Sequence, residues 1–229
     1  MESAPADLSV ISYVCEVRGR IVNVTPLRIG GGRANPLNAL SDNPVLTIGD
    51  KPYIPGSTLK GSLRSIAESY ALSMGETVIY PYDKVEKEEE YDKCLTCQIF
   101  GSQHSASRVL VRDAYVVGDY RIGLRTSVSI DRDTGSQSYK KLFTLDFVEP
   151  GAAFDFTVKI YNINLFHPNS EWEKKASDVL GYALTQFKEG VSLGSRKSVG
   201  FGEVRLEGAK ETLKKLEGGK LTVKEERAL

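Results

Sequence analysis

From Ser9 to Thr25 apolar residues alternate with polar ones through Val10, Tyr13, Cys15, Val17, Ile21 and Val24, which predicts a strand with Cys15 as a small buried hydrophobe. The period changes after Pro55-Gly56. Leu59, Leu63, Ile66, Ala67, Tyr70 and Met74 recur at helical spacing and form one apolar stripe, with Ser57 as the expected N-cap. Glu76 to Ser107 has no clear period and reads as an inserted lid or small subdomain. Arg108 to Val117 reads as one buried strand. Arg121 to Val148 has hydrophobic flanks, a basic centre and the turn signal Asp133-Thr134-Gly135-Ser136, so a protruding hairpin or arm is expected. Ala153 to Ile163 alternates as a strand. A second helix opens at Asn169-Ser170-Glu171-Trp172 and runs to about Phe187 on Trp172, Ala176, Val179, Leu180, Ala183, Leu184 and Phe187. Glu203 to Leu206 resumes a strand, and the tail from Ala209 reads as a charged helix-like segment followed by a short strand.

Without the insertions the order is β–α–β–β–α–β, which predicts an α+β fold of the ferredoxin-like (RRM-like) kind, an antiparallel sheet with both helices on one face. Its strands offer no pair of exposed aromatics of the RNP type, so bases are not expected to stack on the sheet. At 229 residues the chain is long enough for one large domain or two small ones.

Charge narrows the functional classes. Thirty basic residues balance thirty acidic ones, so a nucleic-acid role requires segregated basic surfaces. No apolar run is long enough to span a bilayer and residues 1–7 lack the character of a signal peptide, so a cytoplasmic location without membrane association is expected. Three cysteines do not make a disulfide scaffold.

The segregated basic features are three. Lys60 and Arg64 lie four apart near the start of the first helix, where they repel each other and oppose the macrodipole. A bound anion would reverse both penalties, whereas on a lone helix the two side chains can equally extend into water. Gly30-Gly31-Gly32 is flanked by Arg28 and Arg33, and Gly194 to Gly202 carries Ser195, Arg196 and Lys197. Glycine lets main chain approach a phosphate backbone while the neighbouring cations neutralise it, although each loop alone also fits a bulge or a tight strand entry. Neither is a P-loop, since the Gly-Lys-Ser/Thr ending is missing. Asp42, before Asn43-Pro44, is the only acid between Glu16 and Asp50 and fits an Asx-turn. Cys94 and Cys97 have zinc-ligand spacing and His104 follows seven residues on, but no second CxxC is present; a reduced pair supporting the lid fits equally.

The ordered set of Arg28 to Gly31, Asp42 to Val45, Tyr53 to Arg64, Arg108 to Asp113 and Gly194 to Gly202 resembles the RAMP superfamily of CRISPR-associated proteins, and specifically the repeated backbone subunit of type III (Csm-type) effector complexes. The resemblance covers most of the chain and implies a single RAMP domain over residues 1–229, with a lid at 76–107 and a thumb at 121–148. It implies that copies stack along a CRISPR guide RNA beside other type III subunits. Arg28, Gly30, Gly31, Ser57, Lys60, Arg64, Gly194, Ser195, Arg196 and Lys197 would hold RNA, and Arg125, Arg132 and Lys140 would act on the thumb that kinks the guide–target duplex. Asp42 takes the position of the aspartate that cuts target RNA beside each kink, with a divalent cation (Mg or Mn) expected. Some related subunits carry zinc in the lid, which makes Cys94, Cys97 and His104 candidate zinc ligands. The alternatives are an architectural RNA-binding subunit, an endoribonuclease processing the CRISPR transcript (which commonly uses a histidine near the first helix), and a phosphate enzyme with a closed pocket, in which the basic arm has no evident role.

Overall fold

The computed structural model describes residues 8–30, 41–42, 44–80, 82–83, 85, 88–130 and 137–229; of 88–89, 129–130 and 137–142 it describes the backbone alone. The architecture is α+β, built on an antiparallel sheet. Its strands are β1 (Tyr13–Asn23), β2 (Thr47–Ile48), β3 (Lys51–Ile54), β4 (Val109–Val111), β5 (Ala114–Val117), β8 (Ala153–Tyr161), β9 (Val191–Ser192), β10 (Glu203–Glu217) and β11 (Lys220–Ala228). The remaining elements are α1 (Gly56–Ser73), α2 (Leu95–Phe100), α3 (Glu171–Glu189) and the arm strands β6 (Ile122–Ile130) and β7 (Gln137–Val148). The sheet runs β11-β10-β1-β8-β5-β3-β2, with β4 also on β8 and β9 on β10.

The centre of the sheet follows from the period-two pattern. Cys15, Val17 and Ile21 of β1 and Phe154, Phe156, Val158 and Ile160 of β8 are buried in one core with Leu59, Leu63 and Ala67 of α1 and Ala176, Val179, Leu180, Ala183, Leu184 and Phe187 of α3. Burial pushes the Cys15 thiol up to about 11, as suits a side chain that serves as a hydrophobe. The two helices meet through Tyr70 and Tyr182, whose rings stack 4.2 Å apart. Ser170 caps α3 by accepting from the Glu173 N–H. The expected stripe of α1 ends early: Met74 lies past the helix and is exposed.

Three expectations are corrected. Arg108 to Val117 is two strands, broken at Arg112-Asp113, where the Asp113 side chain turns to accept the Gly56 N–H at 2.7 Å. That bond also removes Ser57 from its expected role: Pro55 occupies the cap position without a side-chain bond, and the exposed Ser57 sits in the first turn. The tail beyond Ala209 is a long hairpin, β10 and β11, with no helix. Its register on β1 directs Ala209 and Leu213 into the core, and Gly218 and Gly219, with φ of 57° and 78°, form the turn that a Lys/Glu-rich helix reading overlooks.

The described residues of the lid form a 3-10 turn at Glu88–Lys93 and α2, packed over a small cluster of Ile79, Cys94 and Cys97. Cys94 and Cys97 are joined as a disulfide, unlike the reduced pair expected. The arm forms a two-stranded sheet of its own, rooted where Val148 bridges Leu27 and the Glu149 N–H donates to the Arg121 carbonyl.

Candidate nucleic-acid interface

The glycine-rich segment folds back over the end of β1. The Leu193 N–H donates to the Gly202 carbonyl, the Gly202 N–H to Pro26 and the Ser195 N–H to Arg28, at 2.8, 2.9 and 3.0 Å. Gly194 is required by this packing: its φ is +77°, and a Cβ there would lie 2.3 Å from the Arg28 carbonyl oxygen. The close approach is thus to the chain's own backbone. Arg28 Nη1 donates to Ser195 Oγ at 2.9 Å, which orients a half-buried guanidinium whose Nε has no partner among the described residues. Burial and then the nearby Arg196 charge depress the Arg28 pKa, while Asp146 of β7 opposes them. Arg196 itself is held left-handed at φ 60°, its guanidinium 5.3 Å above the Phe143 ring. Arg125 of β6 lies 5.5 Å over Phe201, and Phe201 meets Phe147 edge to face at 5.6 Å. Lys197 is exposed beside them. Cations from the loop and the arm are therefore gathered on one surface by aromatic rings.

Asp42 joins this surface through a link that sequence spacing does not reveal. Its Oδ2 accepts the Thr144 N–H at 2.8 Å, 102 residues away, and the Thr144 hydroxyl lies 3.2 Å from the same oxygen. The Asp42 N–H donates to Thr144 Oγ1 at 3.2 Å. Near the root of the arm, Phe143 and Thr144 thus meet Arg196 and Asp42 respectively, and the Asp146 charge reaches Arg28.

Lys60 and Arg64 do not face the glycine-rich loop. Lys60 Nζ donates to Ser107 Oγ at 2.7 Å on the lid side, and burial, then Arg64, lowers its pKa. Arg64 Nε pairs with Glu68 at 2.7 Å and its Nη1 donates to the Gly101 carbonyl at 3.1 Å. Their conflict with the helix dipole is thus answered within the protein: Asp113 supplies the anion at the N-terminus, and Glu68 and Ser107 engage the two cations. The face of α1 turned to the loop carries Thr58, Gly61, Ser62 and Ser65, which with Ser192, Gly194 and Lys197 line a cleft of about 520 Å³. These residues were missed because they are small and uncharged, although their three-and-four spacing is legible.

Gly30 is exposed and bridges Val45, which closes the loop between them. Gly31 and Arg132 lie outside the described residues, as do Arg33, Asn43 and the side chain of Lys140. His104 sits over the Tyr91 ring at 5.0 Å, and His167 pairs with Glu225 at 3.0 Å. Among the described residues no three His, Cys, Asp or Glu side chains gather where they could hold a metal ion. No helix is long and apolar enough to cross a membrane.

The family model of the RAMP superfamily matches residues 20–205, a span that runs from the end of β1 through both long helices, the arm and the glycine-rich segment. The chain belongs to the RAMP superfamily. This RAMP protein is also similar to a curated protein of Methanocaldococcus jannaschii named CRISPR system Cms endoribonuclease Csm3. The two are 29% identical over 205 residues, covering 82% of this chain and 77% of that protein.

Proposed function

We propose that this RAMP protein is a backbone subunit of a type III CRISPR effector complex, stacked in copies along a guide RNA in the cytoplasm, and that it cuts complementary target RNA with Asp42. The observation that carries the reading is the surface at the arm root. There one strand, β7, touches the exposed Asp42 carboxylate through Thr144 and the Arg196 guanidinium through Phe143, while its Asp146 acts on the charge of Arg28, so that a cutting group and backbone-gripping cations share one support. The name of the archaeal relative, an endoribonuclease of a CRISPR system, supports the same reading. The spatial order β10-β1-β8-β4/β5, with α1 between β1 and β4 in the chain and α3 between β8 and β10, supports a ferredoxin-like core within a single RAMP domain.

In this reading Arg28, Gly30, Gly31, Ser195, Arg196 and Lys197, with the cleft along Thr58, Gly61 and Ser62, hold the guide backbone without reading its sequence, which base pairing reads. Lys60 and Arg64, engaged on the lid side, contribute through the field of their charges. The arm, with Arg125, Arg132 and Lys140, is the thumb; Ile122, Leu124 and Val128, exposed along β6, give it an apolar face to insert between nucleotides. At the opened step Asp42 accepts the proton of a 2′-hydroxyl. O2′ then attacks the adjacent phosphorus, the bond to the 5′-oxygen breaks, that oxygen takes a proton from water to leave as a 5′-hydroxyl, and a 2′,3′-cyclic phosphate forms. One carboxylate is a sparse site, so the kinked RNA must supply the in-line geometry. A divalent cation here would be held by Asp42 and draw its other ligands from RNA and water. Zinc at Cys94, Cys97 and His104 would require the disulfide to be reduced and a ligand from elsewhere. Metal analysis of chelator-washed, reduced protein tests this, with bound zinc expected only if another subunit completes the site.

Purifying the protein with its neighbouring subunits and sequencing the bound RNA tests the assignment. CRISPR guides of discrete lengths are expected; random cellular RNA or none contradicts it.

A further inference from the structure

We propose that Thr144 is the positioning residue for Asp42, fastening the carboxylate to the root of the arm so that wedge and cutting group move together. The inference rests on the reading of Asp42 as the cutting group. Four hydrogen bonds join Ser41-Asp42 to Thr144, although the two segments form no strand pair. The Thr144 N–H and hydroxyl both reach Asp42 Oδ2, the hydroxyl also accepts the Asp42 N–H, and Ser41 Oγ donates to the Thr144 carbonyl at 3.3 Å. The hydroxyl has one proton. A carboxylate oxygen can only accept, so that proton is directed to Oδ2 while a lone pair of the hydroxyl receives the Asp42 N–H. Two donors on one oxygen fix the plane of the carboxylate and leave Oδ1 as the oxygen presented to RNA.

Thr144 stands opposite Thr126 in the arm ladder, four residues from Val148, where the arm is anchored to Leu27. A displacement of the arm on inserting between nucleotides therefore carries the carboxylate with it. The strand supplies one tether through its backbone and the threonine side chain supplies the other. Since reaction rates fall steeply when a reacting group is misplaced by an ångström, the second tether governs the chemical step more than binding.

The test uses the reconstituted complex with guide and complementary target RNA under single-turnover conditions. Thr144→Val retains the branched shape, the strand preference and the backbone N–H while removing the hydroxyl. Its cleavage rate is expected to fall about tenfold to a hundredfold, with target affinity unchanged, and Thr144→Ser is expected to restore most of the rate. In an Asp42→Ala background the valine substitution should add nothing further. A Thr144→Val complex that cuts at the wild-type rate overturns the inference. So does a loss of rate that merely follows a loss of RNA binding, or a serine variant as slow as the valine. If Asp42→Ala also cuts normally, the cleavage reading falls with it; if Asp42→Ala is inert while Thr144→Val is unaffected, the positioning role alone falls.

Discussion

Arg196 is held close enough to Arg28 to add to the cost of its charge, and Asp146 offsets only part of that cost. An arrangement of this kind is stabilised when a polyanion enters, because released counterions and new phosphate contacts then favour both charges. Replacing either arginine with alanine is expected to weaken guide binding and to reduce the slope of log affinity against log salt by about 0.7 for a single-stranded RNA. An unchanged slope in a salt titration would show that the residue does not meet phosphate. Asp113 shows the other use of a charged residue, since it caps α1 from the distant break between β4 and β5. Asp113→Ala should cost about 1 kcal/mol, a drop of about 2–4 °C in melting temperature for a domain of this size, with RNA binding retained. The cap was not legible in the sequence because Asp113 lies 57 residues from Gly56 and the local signal favoured Ser57.

Among the elements, those fixed by their own periodicity were legible. The stripes of α1 and α3, the alternation of β1 and β8 and the hairpin form of the arm all follow from residues near one another in sequence. The hairpin of β10 and β11 was not. Lys, Glu and Leu favour a helix locally, and pairing along β1 overrides that preference. The same limit applies to the candidate site. Basic glycine-rich loops can be found by composition, but the meeting of Asp42 with Thr144 depends on the docking of the arm, which no local pattern encodes. Charge likewise points to Lys60 and Arg64 as the RNA-holding residues of α1, whereas the structure turns the small residues toward the glycine-rich segment. Ser62→Glu, which puts a negative charge into that cleft, should weaken guide retention in a filter-binding assay without lowering the melting temperature. Undiminished retention would exclude the cleft from the RNA path.

At the scale of the molecule, the sheet separates an apolar helix-covered side from an outer side where Glu16, 2% exposed, is bound by Arg18 at 2.9 Å and by Lys214. Burial raises the Glu16 pKa, but the hydrogen bonds and charges of Lys214 and Arg18 outweigh it and the net shift is downward from 4.5. A carboxyl depressed on folding contributes stability that is fully present above its unfolded pKa and is lost as pH falls through the folded one. The wild-type protein should therefore lose stability below about pH 4.5 more steeply than Glu16→Gln, as read by melting temperature against pH. Coincident curves would show that the buried cluster does not govern acid unfolding. The sheet and helices thus form the scaffold, while the arm, the glycine-rich loop and Asp42 meet at one edge of it. The central claim, that this edge cuts RNA, is tested most directly by reconstituting the effector complex with Asp42→Ala and supplying a labelled complementary target. The account predicts that the regularly spaced cleavage products vanish while guide and target remain bound. Cleavage at the wild-type rate and positions would contradict it.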